Sequence, residues 1–380
     1  MNTIIKKPLL SCIGFIIAAV IAMVICCHGE GYSADSAVAQ CTDIEDDETL
    51  FFFPGFMYHD AAGTNWNIAV HGWVYEPEHD SRKRRLLMSL VSKALGFSEA
   101  DAGNALLRER LRHFMVDQDG GSNVSIRIGN TNYFLGTCGR NGHVMKTLKI
   151  SGGDIPLQGK EQLPFPRMEF SSRSCGKNPR IFHGAIKQLP RRGVFVVSDI
   201  DDTIKISRVT DKKALIQNTF LRPYREVPGM SALYRAWERK GAVFHYLTAS
   251  PWQLYWPLEE FRKNKNFPEG FFHMKMFGVP FNFTKLFESS DTVKLPYLQM
   301  LFSAFPEYRF ILVGDSGEMD PEVYGTIARR YPEKIIKILI RNIGNEIDSS
   351  PRMREAFKGV PRSRWVLFNS PEHIIPTIMF

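Results

Sequence analysis

The chain has 380 residues, 44% hydrophobic and 23% charged, which is ample for two or three packed domains. Its formal charge of +8 is moderate; it suits a negatively charged substrate or membrane surface and selects neither. There is no zinc-finger spacing, no aromatic–basic ribonucleoprotein signature and no long basic tail, so no nucleic-acid partner is expected.

Taken in chain order, Lys6 and Lys7 precede an apolar run from Pro8 to Cys27. A positive start followed by such a run predicts passage across a membrane. Residues 1–27 are then either a cleaved signal peptide or a retained anchor, since about 20 apolar residues can span a bilayer. The expected location is periplasmic or secreted, or anchored by this segment. Residues 28–48, polar and acidic, read as a linker. Of the cysteines beyond the apolar run, Cys41, Cys138 and Cys175, the expected disulfide is Cys138–Cys175; three unpaired thiols are the other reading.

Residues 49–186 read as a smaller, mainly-β domain, a sandwich being the expected form, with a helical insertion. Strands are predicted at 51–53, 66–75, 124–128, 132–135, 144–150 and 167–171 from apolar alternation and Gly or Asn turns. Helices are predicted over 81–95 and 98–116. Four basic residues, Arg82 to Arg85, open the first of these and could rest on anionic lipid; a helix packed on its own domain is the preferred reading. The aromatic cluster from Phe51 to Phe56 reads as strand and core, and His59, His71 and His79 as structural.

Residues 187–380 alternate strand and helix, which predicts an α/β domain with a doubly wound, mainly parallel sheet. Strands are expected at 194–198, 243–247, 271–275, 309–313, 335–340 and 365–368. Helices are expected at 229–240, 252–264, 294–304, 321–330 and 371–378. The first strand, Val194-Phe-Val-Val-Ser, runs into Asp199-Ile-Asp201-Asp202-Thr203. Another apolar strand, Phe310-Ile-Leu-Val-Gly, runs into Asp315-Ser-Gly-Glu318-Met-Asp320. Acids at the carboxyl ends of parallel strands stand where such sheets bind ligands. Between them, Val243-Phe-His-Tyr-Leu-Thr248 is a strand ending in a hydroxyl, and Lys294 follows.

These four motifs, in this order, resemble those of the haloacid dehalogenase superfamily of phosphohydrolases. The phrases from Ser198 to Lys205, Tyr246 to Tyr255 and Gly314 to Tyr324 further resemble the catalytic domain of the actin-patch-type, lipin-related phosphatidate phosphatases. The resemblance covers about 181–345. It departs from the expected pattern at Val293, where a histidine precedes the lysine, and at Lys275-Met276, where an Arg-Asp pair stands. It implies a haloacid-dehalogenase-like fold without a large cap and a phosphatase working through an aspartyl-phosphate. Asp199 is the implied nucleophile and Asp201 the general acid and base. Thr248 and Lys294 complete the catalytic set by binding and neutralising phosphoryl oxygens. Thr203, Ser250 and Trp252 are expected to contact substrate, the last two at the entrance. Asp199, Asp201 through its backbone carbonyl, Asp315 and Asp320 are the expected ligands for Mg²⁺, because oxygen donors and a phosphate suit a hard cation. The implied substrate is phosphatidate or a related lipid phosphate, presented by a phospholipid or membrane surface. A soluble or protein-borne phosphomonoester, or a non-catalytic envelope binding protein, are the alternatives.

Overall fold

The structure, a computed structural model, describes residues 40–77, 103–117, 120–151, 165–277 and 291–374, with some positions between 88 and 101. The apolar run, the basic helix start at 82–85, His79 and residues 375–380 lie outside the described residues. Among the described residues no helix is long and apolar enough to cross a membrane.

The first half is built on β1 (Thr49–His59), β2 (Asn65–Tyr75), α1 (Ala105–Leu111), β3 (Asn123–Ile128), β4 (Thr131–Thr137), β5 (His143–Ser151), β6 (Arg167–Arg173) and β7 (Ile181–Gln188). Hydrogen bonding joins the seven strands into one sheet, in the order β4-β3-β6-β7-β1-β2-β5, where two facing sheets were expected. The edge strands β4 and β5 approach each other, and Lys146 on β5 donates to the Phe134 carbonyl on β4 at 2.9 Å. One core, with Ile68, Val124, Ile126, Leu148 and Met168, fills the wrapped interior. The strand β7 was not anticipated. Its sequence, IFHGAIKQ, buries only Ile186, so it carries little apolar alternation; pairing with β1 and β6 defines it instead.

The disulfide differs from expectation. Cys175 pairs with Cys41, Cα atoms 5.1 Å apart, and Cys138 is a buried free thiol. The partner lies in the stretch read as linker. Residues 41–45 are in fact tied down: the Thr42 N–H donates to Arg173 O at 2.7 Å, and its hydroxyl to Ser125 O at 3.0 Å.

The second half holds β8 (Gly193–Ser198), α2 (Lys212–Phe220), α3 (Met230–Glu238), β9 (Val243–Pro251), α4 (Tyr255–Asn264), β10 (Gly270–Lys275), α5 (Asp291–Ala304), β11 (Tyr308–Asp315), α6 (Asp320–Arg330), β12 (Ile335–Arg341), α7 (Pro351–Ala356) and β13 (Trp365–Phe368). Every pairing is parallel, in the order β10-β9-β8-β11-β12-β13. Alternation along β8 sends Val196 to a core shared with α3 and α4, and Phe195 and Val197 to one shared with α5, α6 and α7. Helices therefore cover both faces, as a mostly apolar parallel strand requires. The chain leaves β8 toward β9 and later returns to its other side as β11, so the order reverses between these two strands. That reversal opens a crevice at their carboxyl ends.

Of the helices, α2 and α7 were not read from sequence. The last expected helix is represented among the described residues by a single 3₁₀ turn, Pro371–His373. β1 joins the two halves. A register shift between Phe53 and Phe56 turns Phe53 toward the first of the two cores of the parallel sheet and Phe56 toward the second. Their rings lie 4.4 Å from Trp252 and 4.9 Å from Phe271.

Candidate active site

Strands β8 and β11 run buried to their last residues and then release Asp199 and Asp315 side by side at the crevice. The carboxylates of Asp199, Asp315 and Asp320 are fully buried, and an oxygen of each lies within 4.8 Å of the others. Lys294, on α5, closes the group from below with no exposed surface. Its ammonium is 2.9 Å from Asp199 Oδ1, 2.6 Å from Asp320 Oδ1 and 3.2 Å from Glu318 Oε2. The Asp199 contact is an ion pair without hydrogen-bond alignment; the ammonium donates to Asp320 and Glu318. Thr203 donates to Asp199 Oδ2 at 3.0 Å.

Asp320 is fully engaged. Its Oδ1 takes Lys294 and its Oδ2 accepts the Asp315 N–H at 3.1 Å. Gly314 makes room for it, since a β-carbon there would lie 2.2 Å from Asp320 Oδ2. Asp315 Oδ1 accepts Gly317 N–H at 2.6 Å and Glu318 N–H at 3.2 Å, while Oδ2 is buried with no hydrogen-bond partner. Arg352 holds the loop from outside through the Ser316 and Glu318 carbonyls and a 2.7 Å contact to Glu322.

Asp201 faces a different set. Lys205 sits 2.6 Å from its Oδ1, and Ser207 donates to the same oxygen at 2.6 Å. Ser250 and Thr248 reach its Oδ2 at 3.2 and 3.4 Å. The turn that brings Asp201 round is fixed by Asp202. Its backbone takes the left-handed region at φ 53°, which Asp tolerates better than most residues, and its carboxylate accepts the N–H groups of Ser207 and Val209 at 2.9 and 2.6 Å.

The electrostatics divide these acids. Burial pushes Asp199 well above the usual carboxylate range, with Lys294 pulling it back and Asp320 pushing it further up. Burial, then Asp320 and Asp199, raise Asp315 in the same way. Asp320 is raised by burial, against Lys294. Burial alone would lower Lys294, but Asp199 and Asp320 more than reverse this and lift it well above an ordinary lysine. Asp201 goes the other way: burial raises it, yet Lys205 and the hydroxyls of Ser207 and Ser250 overcome that and hold it low.

The structure thus brings Asp199, Asp201, Thr203, Thr248, Ser250, Lys294, Asp315 and Asp320 to one crevice. Trp252 lies elsewhere. It is buried between the two sheets, its ring 4.4 Å from those of both Phe53 and His71. Sequence reasoning missed Lys205, Ser207 and the contact of Glu318 with Lys294. Lys205 stands four residues beyond Asp201, so its spacing within the first motif was the available signal. The donor set of Asp199, Asp315 and Asp320 is oxygen only, and the unpartnered Asp315 oxygen fits a hard divalent cation.

Fold and site together define an α/β protein with a buried acidic centre at the strand-order reversal. Residues 194–342 match the family model described as Phosphatidate phosphatase APP1, catalytic domain. This segment is therefore similar to that catalytic domain, as its motifs indicated. The chain is 34% identical over 163 residues to Phosphatidate phosphatase APP1 of Saccharomyces cerevisiae, covering 42% of this chain and 27% of that protein. It is 28% identical over 214 residues to an uncharacterized protein of Schizosaccharomyces pombe, covering 55% of this chain and 33% of that one. The chain thus spans about a quarter to a third of the length of these relatives. Among solved structures, a beta-glucuronidase of Parabacteroides merdae aligns over 78% of this chain and 34% of its own with 8% identity and a TM-score of 0.25, too low to bear on the fold.

Proposed function

We propose that residues 187–380 form a haloacid-dehalogenase-like phosphatase that hydrolyses phosphatidate or a related lipid phosphate with Mg²⁺ bound. The observation that carries this reading is the convergence of Asp199, Lys294, Asp315 and Asp320 at the reversal between β8 and β11, within the segment that matches a phosphatidate phosphatase catalytic domain.

In this reading Lys294 opposes the burial that raises Asp199 and so favours its ionised form, and Thr203 fixes which way its carboxylate faces. An Asp199 oxygen forms a bond to phosphorus as the ester P–O bond breaks, and the leaving oxygen takes a proton from Asp201. Water then attacks phosphorus, Asp201 takes its proton, and the Asp199–phosphorus bond breaks to release phosphate. Lys205 favours the ionised Asp201 that the second step needs, while an arriving phosphate dianion raises its proton affinity for the first. Thr248 and Ser250, beside Asp201, are placed to meet phosphoryl oxygens. Mg²⁺, held by Asp199, Asp315 and the Asp201 carbonyl with Asp320 orienting Asp315, would supply neutralisation of phosphoryl charge.

Export of the chain belongs to the same proposal. The positive start and apolar run at 1–27 support it, as does the Cys41–Cys175 disulfide, a bond that persists in oxidising compartments.

The test is phosphate release from phosphatidate in mixed micelles, with Mg²⁺ or EDTA, for the full chain and for Asp199→Asn. Mg²⁺-dependent release that the substitution abolishes supports the proposal. Activity confined to soluble esters removes the lipid assignment. Silence on every ester from folded protein favours a binding role.

A further inference from the structure

We propose that the carboxyl edge of the parallel sheet is a docking face for an anionic bilayer, so that substrate phosphate enters the site from a membrane plane. This rests on the lipid-phosphate reading above and adds to it the surface that meets the lipid.

Three loops meet at this edge. A β-carbon on Gly317, in the loop after β11, would touch Val209 of the loop after β8 and Ile343 of the loop after β12. Arg208 in the loop after β8, and Lys212 and Lys213 at the start of α2, are all exposed, and none of the three pairs with an acid among the described residues. The exposed acids close by are occupied. Asp211 caps α2 through the Ala214 N–H at 3.0 Å, and Asp348 is bound by Arg362. Glu346, half-buried, lies 3.9 Å from Arg352. Asp211 keeps its charge as a cap, so segment 208–213, with three cations and one acid, carries a net charge of +2 at the rim.

The same edge exposes apolar side chains. Met319 is 37% exposed in the loop after β11, and Ile347 63% exposed in the loop after β12. Met276, 37% exposed, follows β10 at that end of the sheet. The other exposed large apolar residues among those described, Phe134, Met145, Ile181 and Met300, are spread over β4, β5, β7 and α5. Cations beside projecting apolar side chains match a bilayer surface, where headgroups are anionic and the layer beneath is apolar. Met319 is adjacent to Asp320 and Glu318, so docking here would set the acidic centre directly over the headgroups.

The test uses the full chain reconstituted with vesicles of phosphatidylcholine alone or with phosphatidylserine added, neither containing phosphatidate. Hydrogen exchange is followed at 207–214, 316–320 and 342–348, with β5 and the Met300 turn of α5 as references. Both vesicles receive the same chain, apolar segment included, so a difference between them reports docking of this face. Anionic vesicles are expected to slow exchange in the three loops and leave the references unchanged. At about fivefold in partition per cation near an anionic surface, the pair Lys212→Glu and Lys213→Glu weakens docking by at least about 25-fold. Ile347→Asp, far from α2 in sequence, is expected to weaken it independently. Equal exchange in the two vesicles, protection at β5 or α5 instead, or indifference to all these substitutions overturns the proposal. Hydrolysis of a soluble aryl phosphate by the same variants separates the two claims. Retained hydrolysis with lost protection supports the docking face, whereas an inactive wild type that still shows the protection pattern fails the phosphatase reading alone.

Discussion

His143 offers a measurable consequence of burying a titratable group. It stacks on Trp73 and shares a 2.8 Å hydrogen bond with His71 between the two sheets. Burial lowers its pKa from 6.5 to about 3. A histidine held neutral in the folded state gives stability that is complete above its unfolded pKa. That stability is lost as pH falls from 6.5 toward about 3. Between about pH 6.5 and about pH 5 the loss is about 2 kcal/mol, at 1.36 kcal/mol per unit. His71, His113, His245 and His273 are shifted in the same direction, chiefly by burial. Asp199, Asp315 and Asp320 are raised and gain stability on acidification, so the protein loses less than the histidines' sum. The test is His143→Gln: urea unfolding of both proteins at about pH 7.5 and about pH 5, where wild type is expected to lose about 2 kcal/mol more than the variant. The variant's own cost cancels in this difference. Equal losses would refute the idea that this imidazole is kept neutral by its surroundings.

Lys294→Met leaves Asp199 and Asp320 buried without their cation and is expected to cost about 3–5 kcal/mol in denaturant unfolding near neutral pH. The deficit should shrink on acidification, because acids with raised pKa values take up protons first in the folded state; a deficit that grows would contradict the arrangement. Gly314→Ala pushes a methyl into Asp320 and should lower turnover more than about tenfold while costing about 1–3 kcal/mol of stability. Unchanged turnover would mean Asp320 need not stay in place. Cys41→Ser is expected to lower stability by about 2–5 kcal/mol, and reductant should reproduce the shift in wild type but not in the variant.

Much of the parallel sheet was legible because β8, β9, β11 and β12 are dense in Val, Ile, Leu and Phe, the mark of strands covered on both faces. The acids were legible for a related reason: a carboxylate just past such a strand has few places to go but the crevice. What stayed hidden depends on partners distant in sequence. β7 is a strand because β1 and β6 flank it, not because IFHGAIKQ alternates. Cys41 is 134 residues from Cys175, and the pairing of Thr42 with the segment around Ser174 brings them together. α2 and α7, of 9 and 6 residues, are too short to show a clear helical period. Lys205 looks solvated in a line of text, yet the Asp202 turn folds it back under Asp201. Trp252 follows the Thr248 strand as read, but its bulk is claimed by Phe53 and His71.

The register shift in β1 has a bearing on how this protein can be divided. One strand of the first sheet lends a phenylalanine to each core of the second, so the sequence segment that matches a family by itself is not a physical unit by itself. Excising the parallel-sheet segment would uncover Trp252 and Tyr255 on one side and Phe271 and Phe305 on the other. Any change that removes the first sheet therefore has to repack both flanks of the parallel sheet at once.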